Sequence, residues 1–484
     1  MAFNPSSVFY EKWLVYLSII CVLALLLDRY VQSSRGNKAK ENADDRLESG
    51  KQGASAAALS ALTRKYLVVY AIVMGADWLQ GPYVYSLYRE QYQFPERLVA
   101  VLFVTGFVSA GLAAPLVGVW ADEHGRRRLC MVFCITYALA CVCITFPLLP
   151  ILLVGRFLGG VSTSILFSAF ESWLISSASS ASLPSADLSA IMGRATLVNG
   201  IVATTAGVVS NQLVESTKNY VVPFIASGAL LILGWCVIRG TWTENYGATS
   251  VKNDDLFQVK RLGVAWNIVR QDPLLLVLGL TQTCFEGSMY LFVFLWVPAL
   301  QEYATSYPAQ PLPLGYIFSS FMISMMLGSL LYTAISSYHA SQTRPGDSSL
   351  TLHAKLSSLV CAVSAAALAC SISSRSEHVR FFAFCLFEAC VGMYYPVQGM
   401  LRGTLISNEH RATLSSLFRV PLNVFVVVSL LTGVSSARYA VLTASSIMLV
   451  FSSLMTGAVI VRRSDEQQQQ ANGAIANGNG NGHR

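Results

Sequence analysis

The sequence predicts an all-α integral membrane protein, and three observations support that fold class. Of the 484 residues, 54% are hydrophobic and only 12% are charged, and the mean hydropathy is +0.52. A soluble protein carries about twice that charged fraction. Apolar runs long enough to cross a bilayer follow one another along the chain, and Lys and Arg concentrate in alternate loops between them.

Each predicted span lies between charged or turn-forming segments. A helix rises about 1.5 Å per residue and needs about 20 mostly apolar residues to cross a bilayer. Thirteen runs meet this length, and they cover 9–27, 66–88, 98–119, 129–148, 150–177, 191–214, 221–239, 273–300, 314–338, 350–372, 379–403, 412–436 and 439–461.

The first run needs a separate argument, because its apolar core from Trp13 to Leu27 is also the length of a signal-peptide core. The flank Asp28-Arg29-Tyr30 lacks the small residues that a signal peptidase needs, and the basic loop after it opposes translocation. We therefore expect an extra N-terminal transmembrane helix at 1–30 that is retained, followed by a cytoplasmic linker at 31–65.

Basic residues set the predicted orientation. The loop at 28–65 holds eight Lys and Arg residues, whereas Lys12 is the only Lys or Arg in the sequence that precedes this loop. Loops that carry more Lys and Arg stay in the cytoplasm. The linker and the C-terminal tail are thus predicted to be cytoplasmic in a multi-pass protein of the cell membrane. This bias accounts for the net charge of +7, so no nucleic-acid partner is expected beside the lipid bilayer.

Weak internal matches divide the other twelve helices into related halves. The tetrapeptide RATL occurs at 194–197 and at 411–414, and the same offset relates Gly111 to Gly328. The sequence predicts an N-terminal six-helix bundle at 66–240, a cytoplasmic loop at 241–272, a C-terminal six-helix bundle at 273–461 and a disordered tail at 462–484. Parallel repeats of this kind form carriers that rock around a central cavity.

The segment GVWADEHGRRR places five formal charges between two apolar runs. Its pattern resembles the signature loop of the major facilitator superfamily, carried here by Gly118, Asp122, Gly125, Arg126 and Arg127. A second resemblance is Arg156 followed by Gly159 and Gly160. The resemblance implies the major facilitator fold and a loop that stabilises the outward-facing state. The alternative is an ordinary basic loop with a tight turn.

Three longer stretches resemble one branch of that superfamily, the molybdate-anion transporter family. They are DWLQGPYVYSLY from Asp77, GRFLGGVSTSILFSAFESW from Gly155 and FEGSMYLFVFLWVP from Phe285, within a similarity that runs from about 66 to 436. The resemblance implies import of the tetrahedral oxyanion molybdate. Composition and spacing do not indicate that substrate.

Polar residues inside spans are candidate site residues, because lipid exposure of such groups is costly. Arg419 is the first choice for the anion, since it lies about 12 Å into a helix that enters from the cytoplasm and a guanidinium fork suits an oxyanion. Asn423 shares its helix face. Arg156 suits a site in the outer half, or pairing with Asp77 or Glu388. An ion pair or packing is the alternative role for each.

Other polar residues are candidates to line a cavity, to couple transport to protons, or to take part in the gate latch, which is the set of contacts made by the signature loop. Hydrogen-bonding groups that could line a cavity are Gln80, Tyr83, Tyr290, Tyr394 and Gln398, although ordinary packing remains open for the tyrosines. Glu286, Glu388 and Asp77 are candidates for coupling to protons, because an ionised carboxylate inside the membrane is costly. Glu286 could instead pair with Arg156 or Arg419. Glu171 is expected to pair with the signature-loop arginines.

The sequence predicts a transporter and not an enzyme. The cysteines lie mostly in apolar runs with no C-x-x-C pair, so neither a metal nor another cofactor is expected. The favoured prediction is a monomeric carrier of molybdate or a similar oxyanion. Coupling of its transport to protons is an additional hypothesis. The alternatives are a major facilitator carrier of a sugar, drug or organic anion, and a membrane sensor that transports nothing. Residue types cannot separate molybdate from sulfate.

Overall fold

The computed structural model describes residues 5–41, 52–246, 266–302, 311–342, 350–406, 411–432 and 438–466. Within these ranges every regular element is helical. This observation confirms the predicted all-α class.

The first part of the chain forms eight helices, and a short irregular segment separates two of them. A 3-10 turn at Gly81–Tyr83, one helical turn at Val84–Ser86 and a π turn at Leu87–Gln91 lie between α2 and α3. The eight helices are α1 Pro5–Glu41, α2 Gln52–Gln80, α3 Glu96–His124, α4 Arg126–Cys143, α5 Leu149–Leu166, α6 Ala169–Ser180, α7 Ser185–Thr217 and α8 Val222–Thr241.

From Pro273 onward the described chain forms six helices. The last of them continues into a π turn at Thr456–Val461. They are α9 Pro273–Gln301, α10 Leu314–Gln342, α11 Leu350–Ser373, α12 Glu377–Leu405, α13 Arg411–Thr432 and α14 Arg438–Met455.

These helices coincide with the thirteen predicted spans. Among the described residues, eleven helical segments are long and apolar enough to cross a membrane, and α4 and α13 occupy the two remaining predicted positions. The predicted span at 150–177 is not one continuous helix. The Ser168 amide donates to the carbonyl of Ile165, three residues earlier, at 3.2 Å. This bond interrupts the α-helical hydrogen-bond pattern, so α5 ends and α6 begins there.

The extra N-terminal helix α1 presents mostly apolar side chains outward. Tyr10 is fully buried, whereas Ile19, Leu23 and Leu27 are each more than half exposed. Such a surface is stable where lipid, and not water, surrounds it. This helix therefore has the composition of the predicted retained anchor.

The chain forms two compact units, called here the first unit and the second unit. The first comprises Met1–Phe257 with Ser306–Ile323, and the second comprises Gln258–Thr305 with Ser324–Arg484. The opening residues of α10 thus belong with the first unit. Ser319 Oγ donates to the Thr204 carbonyl of α7 at 2.8 Å, and Gly315 lies directly against the backbone of that helix.

Aromatic packing holds the segment after α8 against α6 in the first unit. Trp173 of α6 stacks on Trp242 with ring centroids 3.7 Å apart and an interplanar angle of 10°. Phe170 meets Trp242 edge-on, with centroids 5.9 Å apart. Trp173 Nε1 donates to the Thr243 carbonyl at 2.9 Å. The chain that leaves α8 is therefore fastened to α6.

In the second unit, α9 packs on α12 through aromatic rings. Phe285 stacks on Tyr394 with centroids 3.9 Å apart and planes 5° apart, and Phe292 meets Phe384 edge-on at 5.1 Å. Aromatic pairs add to the stabilisation from buried area. This packing holds the side chains of α9 and α12 in fixed register.

Small residues allow α3 and α5 to cross closely. A Cβ atom on Gly160 would collide with the Gly106 carbonyl oxygen and would lie 2.7 Å from Ser109 Cβ. On the neighbouring Gly159, a Cβ would meet only Tyr137 Cε2, at 3.8 Å. The two glycines therefore form a matched pair, in which one is required by packing and the other is not.

We expect Gly160→Ala to destabilise the folded protein by about 1–3 kcal/mol, because the added methyl group forces two helix backbones apart. Gly159→Ala should leave stability nearly unchanged. The thermal midpoint of each purified variant in detergent measures the effect, and equal midpoints would contradict the close crossing.

Candidate functional site

Asp77 and Gln80 on α2 take part in hydrogen bonds between helices of the first unit. Tyr137 Oη donates to Asp77 Oδ1 at 2.6 Å, and Gln80 Nε2 donates to Ser227 Oγ at 2.9 Å. Ser227 Oγ in turn donates to the Ala76 carbonyl at 2.6 Å. In the described part of the chain no cation pairs with Asp77, so its predicted pairing with Arg156 is wrong.

Arg156 lies on α5 against one face of α3. Its Nε donates to the Leu102 carbonyl at 3.2 Å, and its guanidinium carbon lies 5.1 Å from the centre of the Phe103 ring. Gly106 leaves room for the group, because a Cβ there would lie 3.2 Å from Arg156 Nη2. The guanidinium is thus held in place through its Nε and through packing on the Phe103 ring.

Tyr88 is a neighbour of Arg156 to which the sequence analysis gave no role. Its side chain is fully buried, and its hydroxyl lies beside the Arg156 guanidinium without a hydrogen-bond partner among the described residues. A buried hydroxyl without a partner is uncommon in folded proteins. The π turn at Leu87–Gln91 determines which way Tyr88 points, and sequence periodicity does not reveal such a turn.

Tyr83, a predicted cavity residue, is used in packing. Its hydroxyl donates to Asn211 Oδ1 of α7 at 3.0 Å, and its ring stacks on Tyr220 with centroids 5.5 Å apart. These contacts join the end of α2 to the loop between α7 and α8.

Glu286 on α9 is the centre of the main polar cluster in the second unit. Arg402 Nη2 lies 3.2 Å from its Oε1 atom, Tyr394 Oη donates to the same oxygen at 3.4 Å, and Gln282 Nε2 donates to Oε2 at 3.4 Å. The cation beside Glu286 is therefore Arg402 of α12. Its place within an apolar run makes Arg402 a candidate site residue, but the sequence does not pair it with Glu286.

Several polar atoms near this cluster are buried and unpaired. Arg402 Nε, Gln282 Oε1 and Gln398 Oε1 have no hydrogen-bond partner among the described residues, although Gln398 Nε2 donates to Ser357 Oγ at 3.1 Å. Each such atom carries an unfavourable desolvation energy unless it meets a ligand or water. The face of α12 that carries Tyr394, Gln398 and Arg402 is consequently a polar surface within the second unit.

The remaining candidates on α9 and α12 have separate surroundings. Glu388 is only 6% exposed, and no ion pair to it occurs in the ranges that the structure describes. Tyr395 Oη contacts Met289 Sδ at 3.3 Å, and Tyr290 is an electrostatic neighbour of Tyr395. Glu388 and Tyr290 therefore stay candidates that the Glu286 cluster does not include.

Helix α13 carries the first-choice anion residue. The side chain of Arg419 lies outside the described residues, so its role stays a prediction, and Asn423 is half-buried. The helix itself packs tightly on α9, because Phe418 fits against Gly279 and Phe425 fits against Gly287. The backbone of α13 therefore runs beside the α9 segment that carries Glu286.

The signature loop turns at Gly125, which has a φ of 100°, a conformation that favours glycine. Glu244, in the segment after α8, binds the start of α4. Its Oε1 accepts from the Arg127 amide at 2.8 Å, and its Oε2 accepts from the Arg128 amide at 3.2 Å. A carboxylate in this position satisfies amides that have no partner within the helix.

The loop arginines reach other backbone atoms of the first unit. Arg127 Nη2 donates to the Arg239 carbonyl at 2.7 Å, and Arg126 Nη1 donates to the Ser172 carbonyl at 3.2 Å. The predicted partner Glu171 is exposed, and the carboxylate that meets Arg127 and Arg128 is Glu244 instead. The surroundings of Gly118 and Asp122, near the end of α3, lie outside what the structure describes.

Comparisons with known proteins agree with the fold. A family model described as sugar transporters with 12 transmembrane helices matches residues 44–388. The molybdate-anion transporter of Xenopus tropicalis is 35% identical over 374 residues, which cover 75% of this chain and 76% of that protein. The molybdate-anion transporter of Takifugu rubripes is 33% identical over 391 residues, covering 76% and 78%.

A solved structure of nucleoside transporter NupG superposes with a TM-score of 0.66 at 9% identity. The match covers 82% of this chain and 99% of NupG. At this identity the likeness shows the fold alone.

We expect Glu244→Ala to loosen the start of α4, because two amides lose their acceptor. The loss should be about 0.5–2 kcal/mol, as for other helix N-terminal caps. Limited trypsin digestion with mass mapping of cleavage at Arg126 to Arg128 measures this change. Glu171→Ala is the control and should cleave as slowly as the parent. Equal rates for both variants would show that Glu244 does not fasten the loop.

Proposed function

We propose that this chain, which belongs to the molybdate-anion transporter family of the major facilitator superfamily, carries molybdate across a membrane by alternating access. The proposal is supported by relatives of that name, which match about three-quarters of the chain at more than 30% identity. We propose that the direction is import across the cell membrane, as the family resemblance implies. The distribution of Lys and Arg supports an orientation with the linker and tail in the cytoplasm.

Arg156 is the observation in the first unit that fits this substrate best. Molybdate is a tetrahedral dianion, and a guanidinium presents donors in a fork that suits such an oxyanion. The Arg156 guanidinium is fixed by the Leu102 carbonyl and the Phe103 ring. The unpaired hydroxyl of Tyr88 adds a neutral donor beside it. Together they form a small preorganised anion site.

The cytoplasmic latch is proposed to be built on Glu244 and not on Glu171. The contacts of Glu244 with Arg127 and Arg128 join the start of α4 to the segment after α8. A gate needs cytoplasmic helix ends that move as one body, and these hydrogen bonds supply that rigidity. Asp122 keeps its proposed role in the same latch.

A sugar carrier is the second candidate, because the matching family model is described as sugar transporters. A sugar site is satisfied by neutral donors and acceptors, whereas Arg156 would leave a half-buried cation without its counter-charge. A sensor that binds molybdate without moving it is distinguished by the absence of flux.

Uptake of radiolabelled molybdate into proteoliposomes that hold the purified protein tests the proposal. Saturable uptake that unlabelled molybdate blocks and that sugars do not block is expected. Binding without uptake would favour the sensor, and uptake of labelled sugar would favour the second candidate. Competition by excess sulfate measures selectivity between the two oxyanions.

We expect Arg156→Ala to abolish most uptake, and Tyr88→Phe to raise the KM for molybdate about tenfold. The second figure corresponds to the loss of a hydrogen bond to a charged group, about 1.5 kcal/mol. Tyr85→Phe is the matched control, because the Tyr85 hydroxyl already has a partner in Glu96 at 3.4 Å. A KM unchanged by Tyr88→Phe would remove that residue from the site. Arg419→Ala in the same assay tests the prediction for α13.

A further inference from the structure

Helix α4 of the first unit carries an exposed apolar stripe that ends in an arginine. Its exposed side chains recur at intervals of three or four residues, at Arg128, Val132, Ile135, Leu139 and Val142. Residues at this spacing share one face of a helix. An exposed apolar face on a spanning helix is stable against lipid, so Arg128 lies where the lipid-facing stripe of α4 reaches the edge of the membrane.

The same arrangement occurs on α8 and α2. On α8, the exposed side chains of Ile232 and Cys236 lead along one face to the exposed Arg239. On α2, the exposed Val68 lies about one helical turn from the exposed Arg64. Long basic side chains at such positions keep their apolar stems against hydrocarbon and their charges among the headgroups.

Close packing places α8 between the other two helices. A Cβ atom on Gly234 of α8 would lie 3.4 Å from Val73 Cγ1 of α2 and 3.7 Å from Cys134 Sγ of α4. The missing side chain at Gly234 thus allows α8 to pack closely on both neighbours. The three apolar stripes therefore belong to adjacent helices.

Hydrogen bonds bring the basic ends of these helices together. The indole of Trp242, just after α8, donates from Nε1 to the Lys65 carbonyl of α2 at 3.2 Å. At the start of α4, Arg127 Nη2 donates to the Arg239 carbonyl at 2.7 Å. The surface where the three helices meet is called here the basic edge. Its exposed cations are Arg64, Lys65, Arg128 and Arg239.

The fold uses backbone atoms of the basic edge and leaves the side chains at the surface. Lys65 and Arg239 contribute carbonyl oxygens to the two contacts above. Arg128 contributes its amide, which donates to Glu244 Oε2 at 3.2 Å. The Arg128 side chain is 67% exposed, and the Arg239 guanidinium carbon lies 5.0 Å from the centre of the Trp235 ring. Neutral side chains at these positions would keep the backbone contacts.

Two acids approach the basic edge in the described contacts. Glu244 Oε2 lies 3.9 Å from Arg128 Nε, but both oxygens of this carboxylate also accept from backbone amides at the start of α4. Glu171 is an electrostatic neighbour of Tyr66, which lies on the side of α2 opposite Arg64. The exposed cations outnumber these acids, so the edge is complementary to an anion.

We propose that the basic edge binds an anionic phospholipid, with its phosphate against Arg128 and Arg239 and its acyl chains along the exposed stripes of α4 and α8. Guanidinium groups are strong donors to phosphate oxygens, and basic pockets between membrane helices suit anionic headgroups. The predicted orientation puts this edge in the cytoplasmic leaflet, where anionic lipids concentrate. The inference does not depend on which solute the protein carries.

A lipid fits this surface better than a free anion does. The cations end apolar stripes, so a ligand that offers both a phosphate and hydrocarbon chains matches both parts of the surface. Inorganic phosphate would meet only exposed charges, which water and salt screen. The bound lipid joins the ends of α4 and α8 from the side that faces the bilayer.

Lipid retention by the purified protein in detergent tests the proposal. Phosphatidylserine, phosphatidylcholine or inorganic phosphate is added, bound lipid is measured by native mass spectrometry, and the thermal midpoint is recorded. The parent should retain phosphatidylserine in preference to phosphatidylcholine, with a midpoint higher by a few degrees. Phosphate alone should not raise the midpoint. Arg128→Gln combined with Arg239→Gln should weaken phosphatidylserine binding by about fivefold for each cation removed.

The matched control removes two exposed cations from the other end of the same unit. Arg97 lies at the start of α3 and Lys218 lies before the start of α8, so Arg97→Gln combined with Lys218→Gln makes the same change in charge. This variant should retain phosphatidylserine as the parent does. Arg128→Lys combined with Arg239→Lys keeps both charges and should keep most of the preference, which a purely structural need for arginine would not allow.

The ratio of phosphatidylserine to phosphatidylcholine bound to folded protein is the deciding measurement, because it holds even if a variant is less stable. An equal ratio in the parent and in Arg128→Gln with Arg239→Gln would overturn the proposal, and so would an equal loss in the control. A midpoint raised as much by inorganic phosphate as by phosphatidylserine would reject the lipid in favour of a free anion. Failure of molybdate uptake bears on the proposed function alone.

Discussion

Lipid supplies no hydrogen bonds, and this constraint determines where every polar side chain of the spanning helices can lie. Asp77, Gln80, Tyr83 and Glu286 all meet partners on neighbouring helices, so their polarity adds contacts between helices. Arg402 differs, because its Nε is buried without a partner among the described residues. Arg156 is the residue of the first unit that the proposed function assigns to the anion.

The sequence predicts the architecture well, because the signals for it are local. Apolar run length locates the helices, and the spacing of Gly118, Gly125 and the loop arginines indicates the superfamily. The orientation that the Lys and Arg bias predicts stays a prediction. Each of these features is contained within a few tens of residues. The choice of Glu286 as a candidate site residue also follows from the sequence, since an acid within an apolar run rarely lacks a role.

The sequence does not reveal which distant residues contact one another. Glu286 and Arg402 are 116 positions apart, and Arg127 and Glu244 are 117 positions apart, so no periodicity connects either pair. Glu171 was the nearest acid that helical depth suggested for the latch, but the rings of Trp173 and Trp242 bring the segment after α8 to the loop first. Tyr88 depends on a π turn, which changes the direction of one side chain without altering the composition of the helix.

Because residues 242–245 pack on the first unit, the connection between the two units is shorter than the end of α8 suggests. Trp242 is stacked on Trp173, and Asn245 Nδ2 donates to the Trp173 carbonyl at 3.0 Å, so these residues belong to the body of the first unit. The first unit therefore does not end where α8 ends. A protein divided into two co-expressed fragments should be cut beyond Tyr246, since a cut at Thr241 would separate the first fragment from four residues that pack on α4 and α6.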